Sequence, residues 1–195
     1  MQQEYIVKDP FKTEEYMINM GPQHPATHGV LRLVLTIDGE IIKKVEPDLG
    51  YIHRSIEKMC EYDTYQQIVH LTDRMDYLSS HINNEAVCLT VEKALELEVP
   101  ERVKVIRTII SELTRLASHQ LWWGVFGMDI GGLTTYFYAF RDREMINDIF
   151  EETCGARLTM NYNIPGGLMF DIHPNFVNRT KAFIKHFKTK LPEYD

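Results

Sequence analysis

A chain of 195 residues, 44% of them hydrophobic, can bury one sizeable core, or a small sheet beside a helical body. A net charge of −7 argues against nucleic acid or an anionic lipid surface as the main partner. Three cysteines, Cys60, Cys88 and Cys154, form no Cys-x-x-Cys pair and match no zinc or iron–sulfur spacing, so they read as reduced, packed thiols.

Met1 to Pro10 lacks the apolar stretch of a signal peptide. Glu15 to Met20 reads as a first strand, stopped at Gly21-Pro-Gln-His-Pro25 because proline removes a donor and fixes φ. Gly29 to Ile37 is apolar and β-branched, Asp38-Gly39 signals a hairpin, and Glu40 to Val45 returns as its partner. From about Ser55 the period becomes helical. Arg74 to Leu97 lacks Gly and Pro, and Met75, Leu78, Ile82, Ala86 and Leu89 mark its expected buried stripe. Pro100 opens a second long helix, with Val103, Ile106, Ile110, Leu113 and Ala117 facing the core. Leu116 to Phe140 is apolar, but Met128-Asp-Ile-Gly-Gly132 breaks it, so it reads as two buried helices and not as a membrane span. Thr134 to Glu152 is a third helix, capped by Thr134 or Thr135 and ended by Gly155. Ile164 to Leu168 reads as a loop, and Pro174 to Lys190 as an amphipathic helix with a basic outer face. The fold class is α+β: a small N-terminal antiparallel sheet over residues 1–50, then a helical bundle over residues 51–195.

Several residues invite chemistry. His24 and His28 flank Pro25 between strand signals, so the helical spacing that would pair them on a metal does not apply. They remain a loop presenting two imidazoles, either proton donors near neutral pH or backbone-bonded structural residues. On one long helix, Arg74, Tyr77 and His81 would share a face, where a phenol and a guanidinium could grip a carbonyl ligand. The alternative for Tyr77 is a core tyrosine with a satisfied hydroxyl. Asp129 is the single carboxylate of its apolar region, which reads as a buried charge partner for a histidine or as a helix cap. Glu92, Glu112 and Arg115 look like ordinary helix charges, and Trp122-Trp123 like core or interface.

Five stretches carry a family resemblance: Gly21-Pro-Gln-His-Pro-Ala-Thr-His-Gly-Val-Leu-Arg32, Gly50-Tyr-Ile-His-Arg-Ser-Ile-Glu-Lys58, Thr72-Asp-Arg-Met-Asp-Tyr77, Glu112-Leu-Thr-Arg-Leu-Ala-Ser-His119 and Phe137-Tyr-Ala-Phe-Arg-Asp-Arg-Glu144. In order, from about Met17 onward, they resemble the 49-kDa (NuoD-type) quinone-site subunit of respiratory complex I, the NADH:quinone oxidoreductase. The resemblance implies a fold like the large subunit of nickel–iron hydrogenases. There, Arg74 to Ser79 corresponds to Arg-x-Cys-Gly-x-Cys, whose thiolates hold the metals. Here Asp76 and Ser79 stand at the cysteine positions and Tyr77 at the glycine. Without soft thiolates no such centre forms, and the family places its quinone headgroup in that space.

By the same resemblance, Tyr77 and His28 donate to the two quinone carbonyls and Asp129 pairs with His28. Arg74 and Arg54 lie near a terminal 4Fe–4S cluster ligated by a neighbouring subunit. Implied partners are that iron–sulfur subunit, a 30-kDa-type subunit and a membrane quinone-channel subunit. The expected location is the cytoplasmic side of the cell inner membrane, peripherally held. The expected activity is quinone reduction coupled to proton translocation. Many relatives carry a histidine before the Asn161-Tyr162 pair, where this chain has Thr159-Met160. Neither side chain can carry a proton to the cluster, which suits menaquinone better than ubiquinone. The family is also about twice as long, so only its N-terminal half is expected here, inactive by itself. Rival readings are a membrane-bound hydrogenase large subunit, an inactive scaffold, and a zinc hydrolase built on His24 and His28.

Overall fold

The computed structural model describes residues 15–22 and 30–194. The chain divides into two compact units, Met1–Arg54 and Ser55–Asp195. In the first, β1 (Glu15–Met20), β2 (Arg32–Asp38) and β3 (Ile41–Asp48) form an antiparallel sheet in the order β1-β2-β3. The Asp38-Gly39 signal does make a tight hairpin, with Asp38 facing Ile41 in the register and a bulge at Thr36/Ile37. Pro47 falls on β3, an edge strand, where proline is tolerated. Arg32 ties the three strands by donating to Asn19 Oδ1 at 2.8 Å and Asp48 Oδ2 at 3.0 Å.

The second unit is helical: α1 (Ile56–Cys60), α2 (Tyr65–Thr72), α3 (Ser80–Ala94), α4 (Glu101–Asp129), α5 (Leu133–Cys154) and α6 (Phe176–Lys190). A hairpin of β4 (Asn163–Ile164) and β5 (Gly167–Leu168) sits between α5 and α6. A capping box of Thr64 and Gln67 starts α2. The core is built by Ile106, Ile110, Leu113 and Ala117 of α4 against Ile146, Ile149 and Phe150 of α5 and Phe176 and Phe183 of α6. Of the predicted stripe of α4, Ile106, Ile110, Leu113 and Ala117 lie in this core, and Val103 is half-buried outside it.

The α4–α5 contact depends on glycine. A Cβ on Gly127 would run into Thr135 Oγ1 and lie 2.8 Å from the Thr135 Cβ, and one on Gly124 would lie 2.8 Å from the Ala139 Cβ. The α6 end is held by Asp142, wholly buried on α5. It accepts from Arg141 at 2.9 and 3.0 Å, from Tyr194 at 2.8 Å, and meets His186 Nε2 at 3.1 Å. No helix of the described residues is long and apolar enough to cross a membrane.

Four sequence expectations change here. Arg74 to Leu97 is not one helix: α2 ends at Thr72, a turn follows, Tyr77–Ser79 is a 3-10 turn, and α3 starts at Ser80. Local polar groups compete with the helical ladder there: Arg74 donates to the His70 carbonyl at 3.0 Å and Asn83 to the Asp76 carbonyl at 2.9 Å. The expected stripe of α3 is also displaced. Met75 is 64% and Leu89 51% exposed, while His81, Asn84, Cys88 and Glu92 are buried. Neither Thr134 nor Thr135 caps α5, whose N-cap is Gly132; the Thr135 hydroxyl donates instead to the Gly132 carbonyl at 2.6 Å. Ile164 to Leu168 is a paired hairpin, because its carbonyls meet a buried guanidinium.

Candidate functional site

The turn between α2 and α3 carries the residues that the sequence singles out. Tyr77 is half-buried in the 3-10 turn, and Asp76 and Ser79 beside it are also half-buried. Arg74 projects outward, its Nη1 3.8 Å from Asp73 Oδ2. His81 does not share this face. It is fully buried and meets the Asn163 carboxamide at 3.3 Å. Burial, helped by the Arg107 charge, pulls its imidazole down to about 3, so it stays neutral near pH 7. The expected Arg74–Tyr77–His81 stripe is therefore corrected: the break at residues 73–76 removes the helical spacing on which it rested.

The turn is joined to a segment about eighty residues later. Ser80 Oγ donates to the Leu158 carbonyl at 2.5 Å, and Asn163 Nδ2 to the His81 carbonyl at 3.4 Å. The Asn161 N–H faces the Asp73 carboxylate, and Asn161 itself adopts a positive φ of 39°. Asparagine tolerates that conformation better than most residues. The 73–81 stretch and the 158–163 segment are thus joined at Asp73, Ser80 and His81.

Beneath it lies a layer of buried polar groups. Asn84 donates to the Val69 carbonyl at 2.9 Å and to Thr72 Oγ1 at 3.1 Å. Arg107 donates to both Glu92 oxygens, at 2.7 and 3.0 Å, and to the carbonyls of Ile164 and Gly167 at 2.9 Å. Gly166 N–H closes the cluster onto Glu92 at 2.7 Å. Glu92 is 4% and Arg107 1% exposed. Burial pushes the Glu92 carboxyl up, but the Arg107 and Gly166 donors outweigh it and hold it below the usual range. Glu92 is accordingly no ordinary helix charge. Glu112 and Arg115 do form an exposed pair at 3.3 Å.

Asp73, Asn84, Glu92, Arg107 and Asn163 were not among the sequence candidates. The signal for part of this layer was present: His81, Asn84, Cys88 and Glu92 recur at helical spacing, one register away from the apolar positions.

Asp129 is the last residue of α4 and is exposed. The buried reading of this residue is corrected: the apolar side chains around it in sequence point outward too. Trp122 is 60% and Phe137 61% exposed, whereas Trp123 packs on Tyr194 with ring centroids 4.5 Å apart. Arg54 ends the first unit and is exposed. His24 and His28 lie outside the described residues. Among the described residues no group of three or more His, Cys, Asp or Glu could hold a metal ion. Burial pushes the Cys88 thiol up to about 11 and the Cys154 thiol up to about 12, so neither offers a thiolate near neutral pH. A cleft of about 530 Å³ lies elsewhere, lined by Leu116, Gln120, Trp123, Phe187 and Tyr194 among others.

Residues 129–195 match the family described as "Respiratory-chain NADH dehydrogenase, 49 Kd subunit". The chain is 56% identical over 184 residues to the C/D subunit of the NADH-quinone oxidoreductase of Bacteroides thetaiotaomicron, covering 94% of this chain and 35% of that protein. It is 49% identical over 183 residues to the D subunits of the NADH-quinone oxidoreductases of Bacillus mycoides and Bacillus anthracis, covering 94% of this chain and 50% of each. The chain therefore spans half the length of these Bacillus relatives. Over 94% of its length the chain is thus similar to the D-type subunits of NADH-quinone oxidoreductases, and its residues 129–195 carry the match to the 49 kDa subunit family of the respiratory-chain NADH dehydrogenases.

Proposed function

We propose that this chain contributes the quinone headgroup site of an NADH:quinone oxidoreductase, next to the terminal iron–sulfur cluster of a neighbouring subunit. The observation that carries this reading is the turn at Asp73–Ser79. In it Tyr77 is half-buried and Arg74 exposed, and Ser80 directly after it ties it to the 158–163 segment through the Leu158 carbonyl. A neutral phenol is a directed donor that need not ionise. Tyr77 would donate to one carbonyl oxygen as negative charge develops on it, and His28 to the other. Asp129 is the proposed partner of His28; its exposure on α4 leaves its carboxylate accessible to such a partner.

The cluster supplies electrons when its subunit is docked. Cys88 and Cys154 are buried and held as thiols, which fits a cluster ligated outside this chain. Arg74 and Arg54 would lie toward it as fixed positive charges. The assembly would join the iron–sulfur subunit, a 30-kDa-type subunit and a membrane quinone-channel subunit on the cytoplasmic face of the inner membrane, with proton translocation coupled to quinone reduction. Menaquinone is the favoured substrate, because Thr159 and Met160 give the cluster no protonatable neighbour.

Tyr77→Phe in the assembled enzyme tests this. Quinone reduction should fall at least about tenfold while NADH:ferricyanide reduction is retained, since one transition-state hydrogen bond is lost and electron entry is not. Unchanged quinone reduction would make Tyr77 a packing residue.

A further inference from the structure

Among the described residues, three acidic side chains are almost fully withdrawn from solvent: Asp73, Glu92 and Asp142. Glu92 is met by Arg107 and Gly166, and Asp142 by Arg141, His186 and Tyr194. Asp73 is different. Its carboxylate faces the Asn84 carboxamide and the Asn161 N–H, yet among the described residues neither oxygen closes a hydrogen bond of ordinary length. Its nearest cation, Arg74, stands off at 3.8 Å and is half exposed. A carboxylate buried this way is costly to keep charged. Burial accordingly lifts the Asp73 carboxyl above its usual range, although Asn84, Arg74 and Asn161 each pull the other way.

We propose that Asp73 is a positioning residue: as a carboxylate it holds Arg74 and the Asn161 turn together, and on taking up a proton it releases both. The proposal rests on the reading of Arg74 as part of the site. Three elements meet at this carboxyl. The α2 end brings the charged or titratable groups Arg74 and His70, α3 brings Asn84, and the 158–163 segment brings the Asn161 N–H. With Asp73 ionised, Arg74 has a counter-charge 3.8 Å away and the Asn161 turn, at its positive φ, keeps an acceptor facing its N–H. With Asp73 neutral, the Arg74 guanidinium keeps its bond to the His70 carbonyl and loses its attracting charge. The proton comes from solvent and resides on one Asp73 oxygen, so no other group changes charge.

The test is the pH profile of quinone reduction in the assembled enzyme, with NADH:ferricyanide reduction as the control, for wild type, Asp73→Asn and Asp73→Glu. Activity of the wild type should fall on the acid side as Asp73 protonates. Asp73→Asn, of the same shape but uncharged, should lose that acid limb and show an alkaline plateau lower by about tenfold. Asp73→Glu should regain the limb at a moved midpoint. An acid limb that survives in Asp73→Asn overturns the proposal. If that variant does not assemble, an unmoved midpoint in Asp73→Glu overturns it instead. Tyr77→Phe reports separately on the phenol: full quinone reduction there with a lost limb in Asp73→Asn overturns the role of Tyr77 and keeps that of Asp73 and Arg74.

Discussion

At the residue scale, the Glu92–Arg107 pair shows how a buried charge can organise a neighbourhood. Arg107 uses its donors on one carboxylate and two hairpin carbonyls, so the pair fastens α3, α4 and the β4–β5 hairpin together. Replacing both partners by apolar residues can be nearly neutral, but removing one leaves the other buried and uncompensated. Glu92→Gln should therefore cost about 3–5 kcal/mol in denaturant unfolding near neutral pH. The sign with pH follows from the lowered Glu92 carboxyl. A depressed folded-state value gives stability that is full above the ordinary carboxylate range and is lost as pH falls through the folded value. The gap between wild type and Glu92→Gln should narrow toward acid pH; a gap constant with pH would show that shape, not charge, sets the cost.

At the element scale, α4 and α5 approach closely because Gly124 and Gly127 leave room for Ala139 and Thr135. Gly127→Ala places a methyl against both the hydroxyl and the Cβ of Thr135, on a helix turn that cannot yield without parting the pair. The expected loss is about 1–3 kcal/mol, the usual cost of overpacking, seen as a lower Tm. An unchanged Tm would mean that the helix ends splay freely. The contrast with α3 is instructive. On α4 the apolar core residues Ile106, Ile110, Leu113 and Ala117 were read from the sequence by their helical spacing, while the buried Arg107, Ser111, Thr114 and Gln120 beside them were not. The inner face of α3 is Ser80, His81, Asn84, Cys88, Val91 and Glu92. A hydrophobicity pattern cannot find a face whose side chains are buried through hydrogen bonds and an ion pair.

At the scale of the whole molecule, the end of the α4–α5 pair leaves large apolar side chains in solvent, among them Trp122, Phe126, Ile130, Leu133 and Phe137. Contiguous exposed apolar side chains of this kind mark surfaces that other protein covers. On the proposed reading, neighbouring protein in the assembled enzyme would supply that cover. In that assembly the neighbourhood of Thr159 and Met160 carries the redox prediction. A neighbour that binds a proton on reduction makes a cluster potential fall with rising pH; a hydroxyl and a buried thioether bind none. An EPR redox titration of the complete enzyme should give a low terminal-cluster potential with little pH dependence. A high, pH-dependent potential would refute the preference for menaquinone.

By itself the sequence determined the α+β class, the three-stranded opening sheet, the apolar core residues of α4, the amphipathic character of α6, the helix break at Gly131-Gly132 and the family resemblance. Each rests on local propensity, on periodicity or on long motifs in register. It also named Arg74 and Tyr77. Tertiary structure alone decided where their backbone leaves the helix, that His81 is a neutral core residue, and that Asp129 is exposed. It alone decided that Asp73 meets Asn161 and Glu92 meets Arg107. Those pairings join residues on different elements. A charged side chain has the same local pattern on a solvated face as in a buried pair, and only the partner brought to it by the fold distinguishes the two.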